Sequence, residues 1–380
     1  PELDRCEMNF KKIIFTVLLI NLMFARIDGY ILGSQNQANG VAIQSDGKVI
    51  IAGTATLENI PQFLVARYSS LGVLDSSFGT NGCVTTIIGD NAVAYGVSLD
   101  SSENIVVVGS SVLNGVSSIA LTRYLPNGVL DNKFGNNGVV LTGLDSGCSG
   151  YAVVIEPDGK IVVTGSVLKN NDVWIPLIRY NSDGTLDASF GTDGVTIVSL
   201  EDCAIGYSLV RQSDGKFVIG GFAEGNIFVV RCNNDGSLDT EFNTTGGSEI
   251  LVGLSSFARG VALQSDQKIV VAGYTNGQCL LARLNTNGTL DTSFGTNGVT
   301  TNNFSTYNIA LDVAIDSSDR IVIAGLSADA PIAARYTVNG TLDASFGVQG
   351  LASIDCGTFG NTNAIKIKID KKYRDRKSVV

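Results

Sequence analysis

Leu74-Asp75-Ser76-Ser77-Phe78-Gly79 is the first writing of a Leu-Asp-x-x-Phe-Gly pattern that this chain of 380 residues uses six times. It returns at Leu130–Gly135, Leu186–Gly191, Leu290–Gly295 and Leu342–Gly347, and at Leu238–Asn243 with asparagine in the last place. The phenylalanines stand at 78, 134, 190, 242, 294 and 346, so the intervals are 56, 56, 52, 52 and 52 residues. A fixed period of this size marks an array of supersecondary units in one continuous structure, against the two or three domains that length alone suggests.

Working outward from the pattern, one unit reads as four short strands. Val41-Ala42-Ile43-Gln44 is the first, and Ser45-Asp46-Gly47 a hairpin turn for which Asp-Gly predicts type I′. Lys48–Gly53 is the second strand, its apolar run implying burial on both faces. Phe63–Tyr68 is the third, and Val84–Ile88 the fourth. Small antiparallel sheets buried on both faces are what a β-propeller requires, since each blade stacks on two neighbours. A parallel β-helix has shorter coils and no use for a hairpin in every unit. The expectation is an all-β propeller over residues 30–369, with six complete four-stranded blades and a truncated seventh starting near Asn363. Tyr30–Leu32 would complete that last blade as its outer strand.

Each third strand carries an arginine, and an aspartate follows eight residues later: Arg67 and Asp75, Arg123 and Asp131, Arg179 and Asp187, Arg231 and Asp239, Arg283 and Asp291, Arg335 and Asp343. A guanidinium can hold a carboxylate through parallel hydrogen bonds or clamp backbone carbonyls. A site is built by a few blades and not by every one, so these pairs read as structural pins for the Leu-Asp-x-x-Phe-Gly segment. The phenylalanine reads as a plug between blades, worth about 1.5–3 kcal/mol when fully buried.

Ser-Asp-Gly-Lys-Ile-Val-Val-x-Gly, Ala-Arg-Tyr and Asn-x-Asp-Gly-x-Leu-Asp-x-Ser-Phe-Gly together resemble the delta-60 repeat family, over about residues 40–354. That resemblance implies a β-propeller exported by, or displayed on, bacteria, and it brings no catalytic residue or cofactor. Arg231-Cys232 and Arg283-Leu284 lack the tyrosine, and Glu241-Phe242-Asn243 lacks both serine and glycine, so the fourth blade is expected to turn differently.

Composition narrows the chemistry. The chain has no histidine, which removes Ser-His-Asp and Cys-His catalysis and histidine-ligated metals. Outside the two ends, 15 basic residues face 30 acidic ones, a balance that repels nucleic acid. Lys11 and Lys12 before the apolar Ile13–Ala25 read as a secretory signal peptide within a leader of residues 1–29, with Met8 as the native start. Residues 370–380 read as an irregular tail foreign to the repeat. The location expected is secreted, cell-surface or periplasmic, with no membrane insertion after signal cleavage and a monomer if the propeller is complete.

Other chemistries have candidates. The oxygen-rich Asn181–Asp187 and Asn233–Asp239 resemble calcium loops, but their positions vary between units as turns do. Cys148, Cys203 and Cys356 share one inter-strand position, which makes Cys148–Cys203 the disulfide to test. A glycoside hydrolase or polysaccharide lyase is the enzymatic alternative, needing two carboxylates across a sugar. Asp90, Asp145, Glu201, Asp202 and Glu224 are available, but nothing in the sequence pairs them. The reading is therefore a non-enzymatic binding or scaffold module without cofactor or metal. Its ligand, a protein or a glycan, would meet the variable loops Thr54–Gln62, Ser110–Ser117 and Ser166–Asp172.

Overall fold

Runs of β-branched and small apolar residues, cut by turns at regular intervals, build six four-stranded antiparallel meanders. The computed structural model describes residues 37–198, 203–253, 255–328 and 330–353. The first blade holds β1 (Gln37–Ile43), β2 (Val49–Leu57), β3 (Ile60–Tyr68) and β4 (Cys83–Thr86); the second holds β5 (Asn91–Leu99), β6 (Ile105–Leu113), β7 (Val116–Tyr124) and β8 (Val139–Thr142). The third is β9 (Cys148–Ile155), β10 (Ile161–Lys169), β11 (Asp172–Tyr180) and β12 (Val195–Val198). The fourth is β13 (Ala204–Arg211), β14 (Phe217–Ala223), β15 (Asn226–Cys232) and β16 (Gly247–Ile250). The fifth is β17 (Ser256–Leu263), β18 (Ile269–Thr275), β19 (Gln278–Leu284) and β20 (Val299–Asn302). The sixth is β21 (Asn308–Ile315), β22 (Ile321–Ser327), β23 (Ala330–Tyr336) and β24 (Leu351–Ser353).

The first strands of successive blades lie against one another, β1 on β5, β5 on β9 and so on to β21, which places them innermost. Between each pair of blades lies an apolar layer. Ile50, Ala52, Phe63 and Val65 of the first blade, for example, meet Ala92, Ala94, Ile105 and Val107 of the second. The second strands are buried on both faces, as their apolar runs require. The fold is thus a propeller of six described blades. The seventh blade, the leader and the tail expected from the sequence lie outside the described residues.

Two local expectations are corrected. The Asp46-Gly47 turn is not type I′, because only Gly47 has positive φ, at 86°. Gln44 O accepts from Gly47 N, so Ser45-Asp46 form a type I turn closed by a left-handed Gly47, the three-residue hairpin arrangement. Glu103, Gln267 and Asp319 hold that left-handed place in other blades. The loops expected at 54–62, 110–117 and 166–172 are β-hairpins whose strands run to the tip. Strands β2, β3, β6, β7, β10 and β11 have nine residues each, against seven in β14, β15, β18, β19, β22 and β23. Two extra residues in each of two strands account for the four that separate an interval of 56 from one of 52.

The fourth blade does differ locally. Phe242–Thr244 form a 3-10 turn, and Asn243 adopts φ 47° where Gly79 has 53°. Asparagine is the side chain that best tolerates this region, so the turn survives the loss of glycine.

Candidate functional site

The repeated Arg–Asp pair closes in every described blade. Nε donates to Oδ2 at 2.9 Å for Arg67–Asp75, 2.8 Å for Arg123–Asp131 and 2.7 Å for Arg179–Asp187. The distances are 2.6 Å for Arg231–Asp239, 2.8 Å for Arg283–Asp291 and 2.8 Å for Arg335–Asp343. Each guanidinium also stacks over the phenylalanine of its own motif, its carbon 4.5–4.8 Å from the ring centre.

The same side chain reaches into the next blade. Nη1 of Arg67, Arg123, Arg179, Arg231 and Arg283 donates to the backbone carbonyls of Pro126, Ser182, Asn234, Thr286 and Val338. The residue after the phenylalanine donates its N–H to the following carbonyl, as Gly79 does to Asn127 and Asn243 to Asn287. The six phenylalanines are fully buried. Gly128, Gly184, Gly236, Gly288 and Gly340 of the next blade's turn lie on the first five rings, too close for a Cβ to fit without displacement. Arg335 keeps its aspartate and its ring, and has no such carbonyl among the described residues.

A second cation completes most of these clusters. Lys160, Lys216 and Lys268 reach Asp187, Asp239 and Asp291 at 2.8, 2.8 and 2.9 Å, Lys48 reaches Asp75 at 3.3 Å, and Arg320 reaches Asp343 at 3.4 Å. Asn104 stands at this place in the second blade. The Ser77 hydroxyl is the largest influence on Asp75 and, with Lys48 and Arg67, outweighs burial to bring its carboxyl down to about 2. For Asp187, burial is the largest influence and would raise the carboxyl, but Lys160, Ser189 and Arg179 together overcome it and hold it far below the usual range. This is a latch, fully occupied by its own ligands.

The innermost strands offer something else. All six carry a β-bulge at one repeat position, occupied by Asn39, Tyr95, Tyr151, Tyr207, Arg259 and Leu311. A bulged residue has no cross-strand partner and is re-aimed by the local bend. Across four consecutive blades these side chains touch in series. Tyr95 and Tyr151 meet edge-on with centroids 4.9 Å apart, and Tyr151 and Tyr207 tilt together at 5.5 Å. Arg259 lies over Tyr207 at 4.2 Å and also over Phe257 at 5.1 Å. All four are half-buried. The sequence reading missed this arc. The signal was available, because 39, 95, 151, 207, 259 and 311 keep the repeat spacing, but tyrosine, arginine and asparagine in one column do not look like a motif.

A third feature is the hairpin end. The three long hairpins belong to consecutive blades, and their tips expose Ile60 (37 %), Leu113 (48 %), Val116 (54 %) and Leu168 (41 %). The short hairpins turn instead through Glu224-Gly225, Asn276-Gly277 and Ala328. Two more residues per strand lift a tip by about 7 Å.

The remaining candidates separate. Asp90 accepts from the Asn114 N–H at 2.8 Å, Asp145 lies 3.7 Å from Lys169, and Glu224 forms a hairpin turn, each within its own blade. Glu201 and Asp202 lie outside the described residues. Asp183 and Asp235 spend Oδ1 on Thr185 and Ser237 two residues on, which is the geometry of a turn. Cys148 and Cys203 are both free thiols. Cys148 Sγ is buried and donates to Thr142 O at 3.3 Å, while Cys203 is exposed. No group of three or more histidine, cysteine or acidic side chains among the described residues could hold a metal ion.

A family model described as "Domain of unknown function (DUF5122) beta-propeller" matches residues 44–78, 104–134, 156–190, 212–242, 264–294 and 317–346, together just over half of the chain. No curated protein matches it. Among solved structures, YCF48 bound to D1 peptide is similar at 11 % identity and TM-score 0.49, covering 84 % of each chain. Sqt1 from Chaetomium thermophilum is similar at 13 % identity and TM-score 0.43, covering 84 % of this chain and 87 % of that one. A gluconolactonase-like protein is similar at 11 % identity and TM-score 0.42, covering 81 % of this chain and 91 % of that one. Likeness this faint decides nothing about activity.

Proposed function

The chain belongs to the β-propeller family of unknown function DUF5122, and from that premise we propose an exported, non-enzymatic binding or scaffold module of delta-60 type, acting outside the cell or at its surface. One observation carries the reading: the apolar tips of three adjacent long hairpins, in blades whose strands, arginines and phenylalanines are otherwise committed to packing. Exposed apolar side chains gathered at the same end of three consecutive blades are candidates for an interaction surface. The extra length is confined to one half of the described array, so the hairpin end is asymmetric and presents one raised side to a partner. The acidic repeat body and the basic-then-apolar leader fit an exported protein that does not bind nucleic acid.

The test uses the full chain in its producing organism. We expect it in the medium or the envelope fraction, held there through the long hairpins. Replacing Ile60, Leu113, Val116 and Leu168 together by serine should release it from that fraction and leave its thermal midpoint unchanged. Retention in the cytosol would overturn the reading. So would turnover of a polysaccharide by the purified protein that disappears when Asp90, Asp145 or Glu224 is replaced by its amide.

A further inference from the structure

Arg259 is the exception among the described arginines. The other eight each make an ion pair: six in the latch, Arg211 with Glu156 and Arg320 with Asp316. Among the described residues Arg259 has no ion-pair partner and no hydrogen-bond acceptor. Its Nε is buried without a partner. It lies over the rings of Tyr207 and Phe257, which hold it through their faces and take none of its N–H groups. A cation with one desolvated, unmatched donor lacks an acceptor that a bound anion would supply.

Its surroundings restrict which anion. One guanidinium in a body with twice as many acidic as basic residues cannot offset a polyphosphate, whereas a single carboxylate matches its two parallel donors. Beside it run Tyr207, Tyr151 and Tyr95, three half-buried rings that each end in a hydroxyl. Burial pushes the Tyr95 and Tyr207 phenols up, so both stay neutral and can donate as well as accept. Apolar ring faces with hydroxyl tips, repeated from blade to blade, complement pyranose rings, which have apolar C–H faces and hydroxyl edges. The bulges position these side chains on the innermost strands, where a rigid sheet backs each of them.

We propose that Arg259, Tyr207, Tyr151 and Tyr95 form a binding site for an acidic saccharide, with Arg259 taking the carboxylate of a uronate and the tyrosines the adjoining sugars. This deepens the reading of the chain as a binding module and rests on it, but it concerns the innermost strands and not the hairpin tips.

Calorimetric titration of the full chain with short oligomers of galacturonate, glucuronate and mannuronate tests it, with neutral oligomers of the same lengths and linkages as controls. We expect at least one uronate oligomer to bind, with its neutral counterpart at least about tenfold weaker and the affinity falling as salt is added. Arg259→Gln should lose binding about tenfold or more, Arg259→Lys should lose less, and Tyr151→Ala should weaken it with the thermal midpoint kept. Should Arg259→Gln not fold, Arg259→Lys and the neutral controls still decide. The inference is overturned if none of the three uronates binds, if neutral and acidic oligomers bind alike, or if Arg259→Gln binds as the parent does. Tighter binding of an acidic peptide than of any uronate would overturn the ligand class. The serine variant of the hairpin tips should bind the uronate unchanged, so the two readings fail separately.

Discussion

At the scale of single residues, the arginine of each third strand does three things at once. It neutralises an aspartate, covers a phenylalanine and, in the first five blades, grips the next blade's backbone. Asp239, almost fully buried between Arg231 and Lys216, is the member whose loss should cost most. Asp239→Asn is expected to destabilise the protein by about 3 kcal/mol, because it strands two cations in a site of low exposure. Replacing Asp239 and Arg231 together by leucine and methionine should cost less than the sum of the two single changes, a difference that urea denaturation of all three variants would reveal. The Arg–Asp spacing and the plug were legible in the sequence because each is a side chain at a constant offset. The grip on the next blade was not. Its acceptors are carbonyls of proline, serine, asparagine, threonine and valine, and a backbone oxygen leaves no mark on residue type.

At the scale of elements, glycine matters most where one blade's turn meets its neighbour. Gly236 sits at φ 87°, and an added Cβ would stand 2.7 Å from the Phe190 ring. Gly236→Ala should therefore lower stability by about 1–3 kcal/mol, from strain in the left-handed turn and displacement of the ring, and denaturant midpoints would measure it. The long hairpins behave oppositely. Deleting Val112, Leu113, Val116 and Ser117 turns the second blade's hairpin into one of the short kind, and it should change stability by about 1 kcal/mol or less in the same assay. The four-residue difference was visible in the sequence as a number. Its location was not, since the Glu-Asn, Asn-Gly and Asn-Asn turns at the tips broke the strand pattern and made the hairpin ends look like loops. The Asp-Gly turns misled for a related reason: the dipeptide fits a turn with one left-handed residue as well as a turn with two.

For the whole molecule, the carboxylates of the latch act together. Asp75 sits at about 2, and Asp131, Asp187, Asp239, Asp291 and Asp343 are all lowered from the ordinary value. The unfolded chain binds protons at these groups near pH 4, before the folded chain does, so stability is complete at neutral pH and drains away as pH falls from about 5 toward 2. Denaturant midpoints at pH 7, 4 and 3 should decline in that order, and Asp239→Asn should show a shallower decline than its parent. Propeller architecture was readable from the period together with the hairpin and the two-faced apolar strand in every unit, because blades that stack on their siblings keep such strands dry. The axial arc was hidden, since a bulge is a property of pairing register and register is set by the fold.

The arginine latch across each described junction is directional and blind to side chains. A donor in one unit asks of its successor only an unobstructed peptide oxygen and a glycine. As far as the latch is concerned, any copy of the unit that brings those two things, together with its own arginine, can stand behind any other. The chain is in that sense assembled from interchangeable parts. Duplication can lengthen it and drift can recolour its rims without disturbing the latch, while the apolar layer between copies keeps its fit.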